Sequence, residues 1–170
     1  MTTYTALPIP PATLAELRRT DDAGRPCVPF AAGEETAGSP LRCCLRGARA
    51  GERIALVSYA PLRRWAAETG ARPGAYDEQG PVFVHAEGCA GPAARPDSYP
   101  FDRSGALRTL RRYDAGGRIV GGRLLEIPQE PGEGFDKALA EAFAEPDVVL
   151  VHVRAVEYGC FQFEVRRPVA

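Results

Sequence analysis

The sequence contains almost no lysine, little histidine and no long apolar run. Its 21 basic residues are 20 arginines and one lysine, Lys137, and the chain has two histidines and one tryptophan. No apolar stretch approaches the length of a membrane span. The net charge of -1 gives no overall attraction to nucleic acid or to an anionic membrane. We therefore expect neither a nucleic-acid nor a membrane partner.

Signals for export and for cofactor binding are also missing. The first residues lack the charged and apolar tandem of a secretion signal, and the excess of arginine is typical of a GC-rich bacterial genome, so we expect a cytoplasmic bacterial protein. The five cysteines are an odd number and include no Cys-x-x-Cys pair, which favours free thiols in a reducing compartment. No Gly-rich phosphate loop is present, and we expect no cofactor.

The length and the hydrophobic pattern predict one α+β domain spanning residues 1–170. We expect a mainly antiparallel sheet of about six strands and two main helices. The predicted helices cover residues 12–20 and 134–144, with a helical turn near 63–69. The predicted strands cover residues 3–9, 41–46, 53–59, 82–86, 107–113, 118–126, 148–156 and 160–165. The strand at 53–59 has no polar face, which predicts a central position covered on both sides.

The last two strands form the most informative pattern. They are joined by Glu157-Tyr158-Gly159, and a three-residue link that ends in glycine is typical of a hairpin. In the expected register Val156 faces Cys160, so that Arg154 faces Gln162 and His152 faces Glu164. One face of this ribbon is then apolar and the other is polar. The polar face carries His152, Arg154, Gln162 and Glu164.

This polar face is our first candidate site. A His152–Glu164 contact would hold the imidazole in one tautomer, so that His152 acts as a general base with Glu164 as its partner. Arg154 and Gln162 would then bind an anionic ligand. His85, at the end of an apolar strand, is a second candidate base, and both rings would face one cleft if their strands are neighbours. The alternative is a solvated sheet face with ordinary cross-strand pairs.

Cys44 is a candidate ligand-binding thiol. In a strand over residues 41–46 it would lie between Arg42 and Arg46, whose charges favour a thiolate. The alternative is a small filler residue, because no histidine lies near it in the sequence. The spacing His85-x3-Cys89 superficially suggests zinc, but it resembles none of the usual closed sites, and we expect no metal.

Four motifs resemble a bacterial family catalogued as "domain of unknown function 1203". They are Leu41-Arg-Cys-Cys-Leu-Arg-Gly-Ala-Arg-Ala-Gly-Glu-Arg53, Gly80-Pro-Val-Phe-Val-His-Ala-Glu-Gly-Cys89, Tyr113-Asp-Ala-Gly-Gly-Arg-Ile-Val-Gly121 and Val151-His-Val-Arg-Ala-Val-Glu-Tyr-Gly-Cys-Phe-Gln-Phe-Glu-Val165. The resemblance runs from about residue 25 to the end of the chain. It implies a cytosolic, single-domain bacterial protein, and it implies no activity, substrate or cofactor.

Three functions remain open at this point. The first is a small-molecule binding domain for an anionic metabolite, with the polar ribbon and His85 around a cleft. The second is an enzyme of hydrolase or transferase type with a histidine base in the same place. The third is a structural or protein-interaction domain without a ligand site. Exposed edge strands would also allow a homodimer.

Overall fold

The computed structural model describes residues 3–92 and 98–168. The contacts of these residues divide them into two compact units. The first unit contains residues 3–7, 61–78 and 98–168, and the second contains residues 8–60 and 79–92. The prediction of a single domain over residues 1–170 stays a prediction.

Three α-helices begin at prolines. They are α1 (Pro11–Leu17), α2 (Pro61–Thr69) and α3 (Pro131–Ala144), and a short 3₁₀ turn covers Gly74–Tyr76. Proline suits a first helical turn, because the amide hydrogen that it lacks would have no partner there. All three helices lie where the sequence predicts helical structure, with starts shifted to the nearest proline. Along α3, the buried side includes Phe135, Leu139 and Phe143.

The second unit is built on a five-stranded sheet. Its strands are β1 (Phe30–Ala31), β2 (Pro40–Leu41), β3 (Arg46–Gly47), β4 (Arg53–Tyr59) and β5 (Gly80–His85). Their order is β1-β4-β5-β2-β3. Only the β2–β5 pair is parallel, and it aligns Leu41 with Phe83. β4 lies between two neighbours as expected, but Leu56 on this strand is 52% exposed, so the prediction of complete cover on both sides is wrong.

The predicted strand at 41–46 is wrong, because its middle forms a turn between β2 and β3. The amide of Leu45 donates to the carbonyl of Leu41 at 2.8 Å, and Leu45 has a φ of 57°. This left-handed residue closes the turn. Cys44 therefore lies in a turn, and not on a strand between Arg42 and Arg46 as predicted.

The first unit is built on a four-stranded antiparallel sheet. Its strands are β6 (Leu107–Tyr113), β7 (Ile119–Glu126), β8 (Leu150–Ala155) and β9 (Phe161–Arg166), in the order β7-β6-β8-β9. The α+β class is confirmed, but two sheets replace the predicted single sheet of about six strands. The predicted strand at 3–9 is reduced to a bridge between Leu7 and Glu164. Pro8 and Pro10 lack the amide hydrogens that would continue a ladder there.

The register of the β8–β9 hairpin agrees with the prediction at its open end. His152 pairs with Glu164 and Val153 with Phe163. A bulge then places Arg154 opposite Phe161, so the predicted pairing of Arg154 with Gln162 is wrong. The extra, unpaired residue is Gln162 on β9, whereas β8 keeps a regular register with β6, so the side chains of β8 alternate without interruption. Gly159 in the link has the positive φ expected of its position, 71°.

Candidate functional site

Four side chains with sulfur or nitrogen donors converge at one end of the sheet in the second unit. Cys43 and Cys44 lie in the turn that follows β2, His85 is the last residue of β5, and Cys89 follows a bend in the chain. Because β2 and β5 are parallel neighbours, their carboxyl ends meet at the same edge of the sheet. The strand pairing therefore brings together residues that are far apart in the sequence.

The donor atoms are as close as the ligands of one metal ion. Nδ1 of His85 lies 3.3 Å from Sγ of Cys43 and 3.8 Å from Sγ of Cys44, and the two sulfurs are 4.0 Å apart. With Cys89 included, the four donor atoms all lie within 4.8 Å of one another. A zinc ion binds sulfur at about 2.3 Å and nitrogen at about 2.0 Å, so the ligands of a tetrahedral site are separated by roughly 3.5–3.8 Å. The observed separations are near this range.

The other nitrogen of His85 faces an ion pair. Nε2 of His85 lies 3.6 Å from Oε2 of Glu52. Glu52 accepts two hydrogen bonds from the guanidinium of Arg46, at 2.6 and 3.0 Å, and one from the amide of Arg49 at 2.9 Å. The bonds from Arg46 and from Arg49 lower the pKa of Glu52 to about 2. Nη2 of Arg46 is closer, at 3.3 Å from Nε2 of His85, and a guanidinium can only donate. Nε2 is therefore the acceptor, and the ring proton of neutral His85 lies on Nδ1, which faces the two sulfurs.

The pKa values of the two adjacent thiols shift in opposite directions. The Cys43 thiol donates towards the sulfur of Cys44, which lowers the pKa of Cys44 to about 6, and the Arg46 amide contributes to the same shift. The same hydrogen bond, followed by burial, raises the pKa of Cys43. The amide of His85 also donates to the sulfur of Cys43 at 3.2 Å. Cys44 is therefore the more acidic thiol of the two, because the hydrogen bonds from the Cys43 thiol and the Arg46 amide to its sulfur favour its thiolate.

Cys44 and His85, which the sequence predicts separately, lie in the same cluster. No histidine is close to Cys44 in the sequence, but in the fold His85 lies beside it. Cys43, Cys89 and the neighbouring Glu52 also belong to this site, although they are not among the residues predicted from the sequence. The vicinal cysteines and the His85-x3-Cys89 spacing are the only signals that would have pointed to it, and both need the β2–β5 pairing to become informative.

The His152–Glu164 pair forms as predicted, but it is buried rather than solvated. Nε2 of His152 lies 3.2 Å from Oε2 of Glu164, and His152 is 0% exposed. Its ring packs edge-on against Tyr113 and Phe161. The second oxygen of Glu164 accepts a hydrogen bond from Arg166 at 2.6 Å. The alternative of a solvated face is therefore wrong for this pair.

The remaining members of the predicted ribbon site have other partners. Gln162 is buried and donates to the carbonyl of Cys160 at 3.4 Å. Arg154 donates to the carbonyl of Gly159 at 2.7 Å and contacts Glu78. β5 pairs with β4 and β2, whereas β8 pairs with β6 and β9, so the strands that carry His85 and His152 are not neighbours.

A family model described as a protein of unknown function (DUF1203) matches residues 38–167. The chain belongs to this family. The match confirms the resemblance noted in the sequence, and it spans all four donor residues and the β8–β9 hairpin. No curated protein and no solved structure matches the chain. Among the described residues, none of the helices has the length and apolarity needed to cross a membrane.

Proposed function

We propose that this protein binds a thiophilic divalent metal ion, best matched by Zn²⁺. The ligands are Cys43, Cys44, His85 and Cys89. The observation that carries the proposal is the convergence of their four donor atoms within 4.8 Å. Three sulfurs and one imidazole are one of the usual donor sets of closed zinc sites.

Burial supports a metal centre over a site for exposed thiol chemistry. Cys43 and Cys44 are 2% and 7% exposed, so a large substrate has little access to either sulfur. A metal ion is small enough to enter beside Cys89, which is only partly buried. Four protein ligands leave no open coordination position, and such closed sites are structural. The ion would then fasten the turn after β2 to the end of β5.

The earlier expectation of no metal came from spacing along the chain. The spacing His85-x3-Cys89 resembles none of the usual zinc motifs. In the fold, the parallel β2–β5 pair brings Cys44 and His85 together, and the bend after His85 brings Cys89 towards them. Spacing along the sequence therefore does not exclude a metal site here.

Zinc content of the reduced protein tests the proposal. We expect one equivalent of Zn²⁺ per chain by mass spectrometry, and intense tetrahedral Co²⁺–thiolate absorption after substitution with cobalt. Zinc should also raise the thermal midpoint, because an ion that binds only the native state stabilises it by about 2.7 kcal/mol at a free concentration of 100 Kd.

Single cysteine variants make the test specific. Cys43→Ser and Cys89→Ser should each lose the cobalt absorption. The matched controls are Cys27→Ser and Cys160→Ser, since both residues are free cysteines outside the cluster. A protein that binds no zinc after reduction, or that loses it equally in the Cys160→Ser control, would contradict the proposal.

A thiol enzyme at the same cluster is the second candidate. The observation in its favour is that the pKa of Cys44 falls to about 6 through its hydrogen bond from Cys43, with Nδ1 of His85 only 3.8 Å away. A low-pKa cysteine beside a histidine is the arrangement of a nucleophile and its base. Rapid alkylation of Cys44 by iodoacetamide in zinc-saturated protein would favour the enzyme, because a bound metal protects its thiolates.

We also infer that the protein lies in the cytoplasm of a bacterium. A reduced cysteine cluster suits the cytoplasm of a bacterium, where thiols persist. A homodimer stays a prediction that light scattering tests.

A further inference from the structure

We propose that Arg111 and Arg154 form a binding site for a small-molecule carboxylate, and that Glu78 occupies this site as an internal substitute. The site lies within the first unit and does not depend on the metal proposal. The proposed ligand is anionic, as predicted from the sequence. The residue that binds it together with Arg154 is Arg111, and not His152 or Gln162 as predicted.

The two arginines lie on one face of neighbouring strands. Arg111 on β6 pairs with His152 on β8, and Arg154 is two residues further along β8. Residues two apart on a strand share a face, and diagonal neighbours are within reach of long side chains. Both guanidiniums contact the same oxygen, Oε2 of Glu78, with Nη2 of Arg154 at 3.3 Å.

The charges at this position do not balance. Two guanidiniums share one carboxylate, which leaves an excess of one positive charge. Burial, followed by the neighbouring charge of Arg111, lowers the pKa of Arg154. Nε of Arg154 is also buried without a hydrogen-bond partner within the described part of the chain. Arginine forks bind carboxylates through pairs of hydrogen bonds, so an anion with two available oxygens would satisfy this site better than one oxygen of Glu78 does.

Glu78 is able to leave. Its side chain is 50% exposed, whereas those of Arg111 and Arg154 are 25% and 14% exposed. The arginines are therefore held in place while the carboxylate lies at the surface. Because the resident group is a carboxylate, the ligand class that best replaces it is another carboxylate. A tethered competitor lowers the apparent affinity for a free ligand by the fraction of time that the site is open.

Titration with sodium succinate, with sodium chloride at the same ionic strength as the reference, tests this site. In Glu78→Gln we expect succinate to bind at least about tenfold more tightly than in the unmodified protein, since the substitute anion is removed. Adding Arg154→Lys or Arg111→Lys to Glu78→Gln should abolish this gain, because lysine keeps the charge but loses the fork. Calorimetry measures each affinity directly.

Glu87→Gln is the matched control. Glu87 is an exposed glutamate paired with the single arginine Arg53, so its removal opens no arginine pair. We expect succinate binding to be unchanged in this variant. Equal gains in Glu87→Gln and Glu78→Gln would show general attraction to a more positive protein and would overturn the proposal. A lack of saturable heat in Glu78→Gln would overturn it as well.

Discussion

Among single residues, Glu52 has the clearest indirect role. It contacts no sulfur, yet it links His85 to Arg46 and to the amide of Arg49. Glu52 holds the guanidinium of Arg46, and Nη2 of Arg46 donates to Nε2 of His85 at 3.3 Å, which fixes the orientation of the ring. Glu52 therefore positions His85, and its own position is fixed by three hydrogen bonds.

Substitution of Glu52 should weaken zinc binding without removing a ligand. For Glu52→Ala we expect a 10- to 100-fold higher dissociation constant, about the loss found when such outer partners are removed. Glu52→Gln keeps a hydrogen-bond acceptor and should recover most of the affinity. Competition with a chromophoric chelator measures both values. Glu87→Ala is the control, and a similar loss there would show that surface charge rather than positioning sets the affinity.

Local signals explain which single residues the sequence could identify. The cross-strand pairing of His152 with Glu164 follows from the alternation of side chains along the strands and from the glycine in the link. Both signals are local in the sequence. No local sequence signal marks the bulge beside Arg154, so the predicted pairing of Arg154 with Gln162 is wrong. Glu78 lies at the end of a long connection, and its contact with Arg154 depends on the tertiary fold.

At the level of elements, local hairpins were predictable and the non-local pair was not. The hairpins β6–β7 and β8–β9 follow from turn residues between alternating segments. The parallel pairing of β2 with β5 has no turn to mark it, and β2 is only two residues long. This pairing joins β2 and β3 to the rest of the second unit's sheet and brings the four donor residues together. Neither this sheet nor the donor cluster could be predicted, because no local sequence signal marks the β2–β5 pair.

The turn after β2 depends on one left-handed residue. Leu45 has a φ of 57°, a conformation in which branching at Cβ is costly. We expect Leu45→Val to destabilise the turn by about 1–2 kcal/mol and to weaken zinc binding, although every ligand remains. Urea unfolding and zinc titration measure the two effects.

A leucine in an extended strand is the control for this prediction. Leu56 on β4 is also partly exposed, and valine suits its strand conformation. Leu56→Val should therefore leave zinc binding unchanged. If Leu45→Val binds zinc as tightly as the unmodified protein, the turn conformation does not set the positions of the sulfurs.

For the whole molecule, the buried His152–Glu164 pair links stability to pH. Burial lowers the pKa of His152 below its usual 6.5. Burial alone would raise the pKa of Glu164, but the hydrogen bond from His152 and the charge of Arg166 lower it instead. Near pH 7 the pair is thus a neutral imidazole that donates to a carboxylate. Below pH 6.5 the unfolded chain binds more protons than the native protein does.

The contribution of this pair to the free energy of unfolding should therefore be fully present above pH 6.5, and it should decrease as the pH falls below that value. The carboxylate of Glu164 adds a further loss below its usual pKa of 4.5. Urea unfolding of the metal-free protein from pH 8 to pH 4 measures this slope. His152→Gln removes the titrating ring, and its stability should vary less between pH 7 and pH 5. An unchanged slope in this variant would assign the effect to other groups.

The order of the strands along the chain also affects synthesis of the protein. Cys43 and Cys44 leave the ribosome before β3, β4 and α2, whereas β5 with His85, and then Cys89, follow later. The nascent chain therefore presents a vicinal thiol pair that has neither its parallel strand nor its other two donors. These thiols must stay reduced throughout translation, and any ion that the cluster holds is loaded only after β5 has been released.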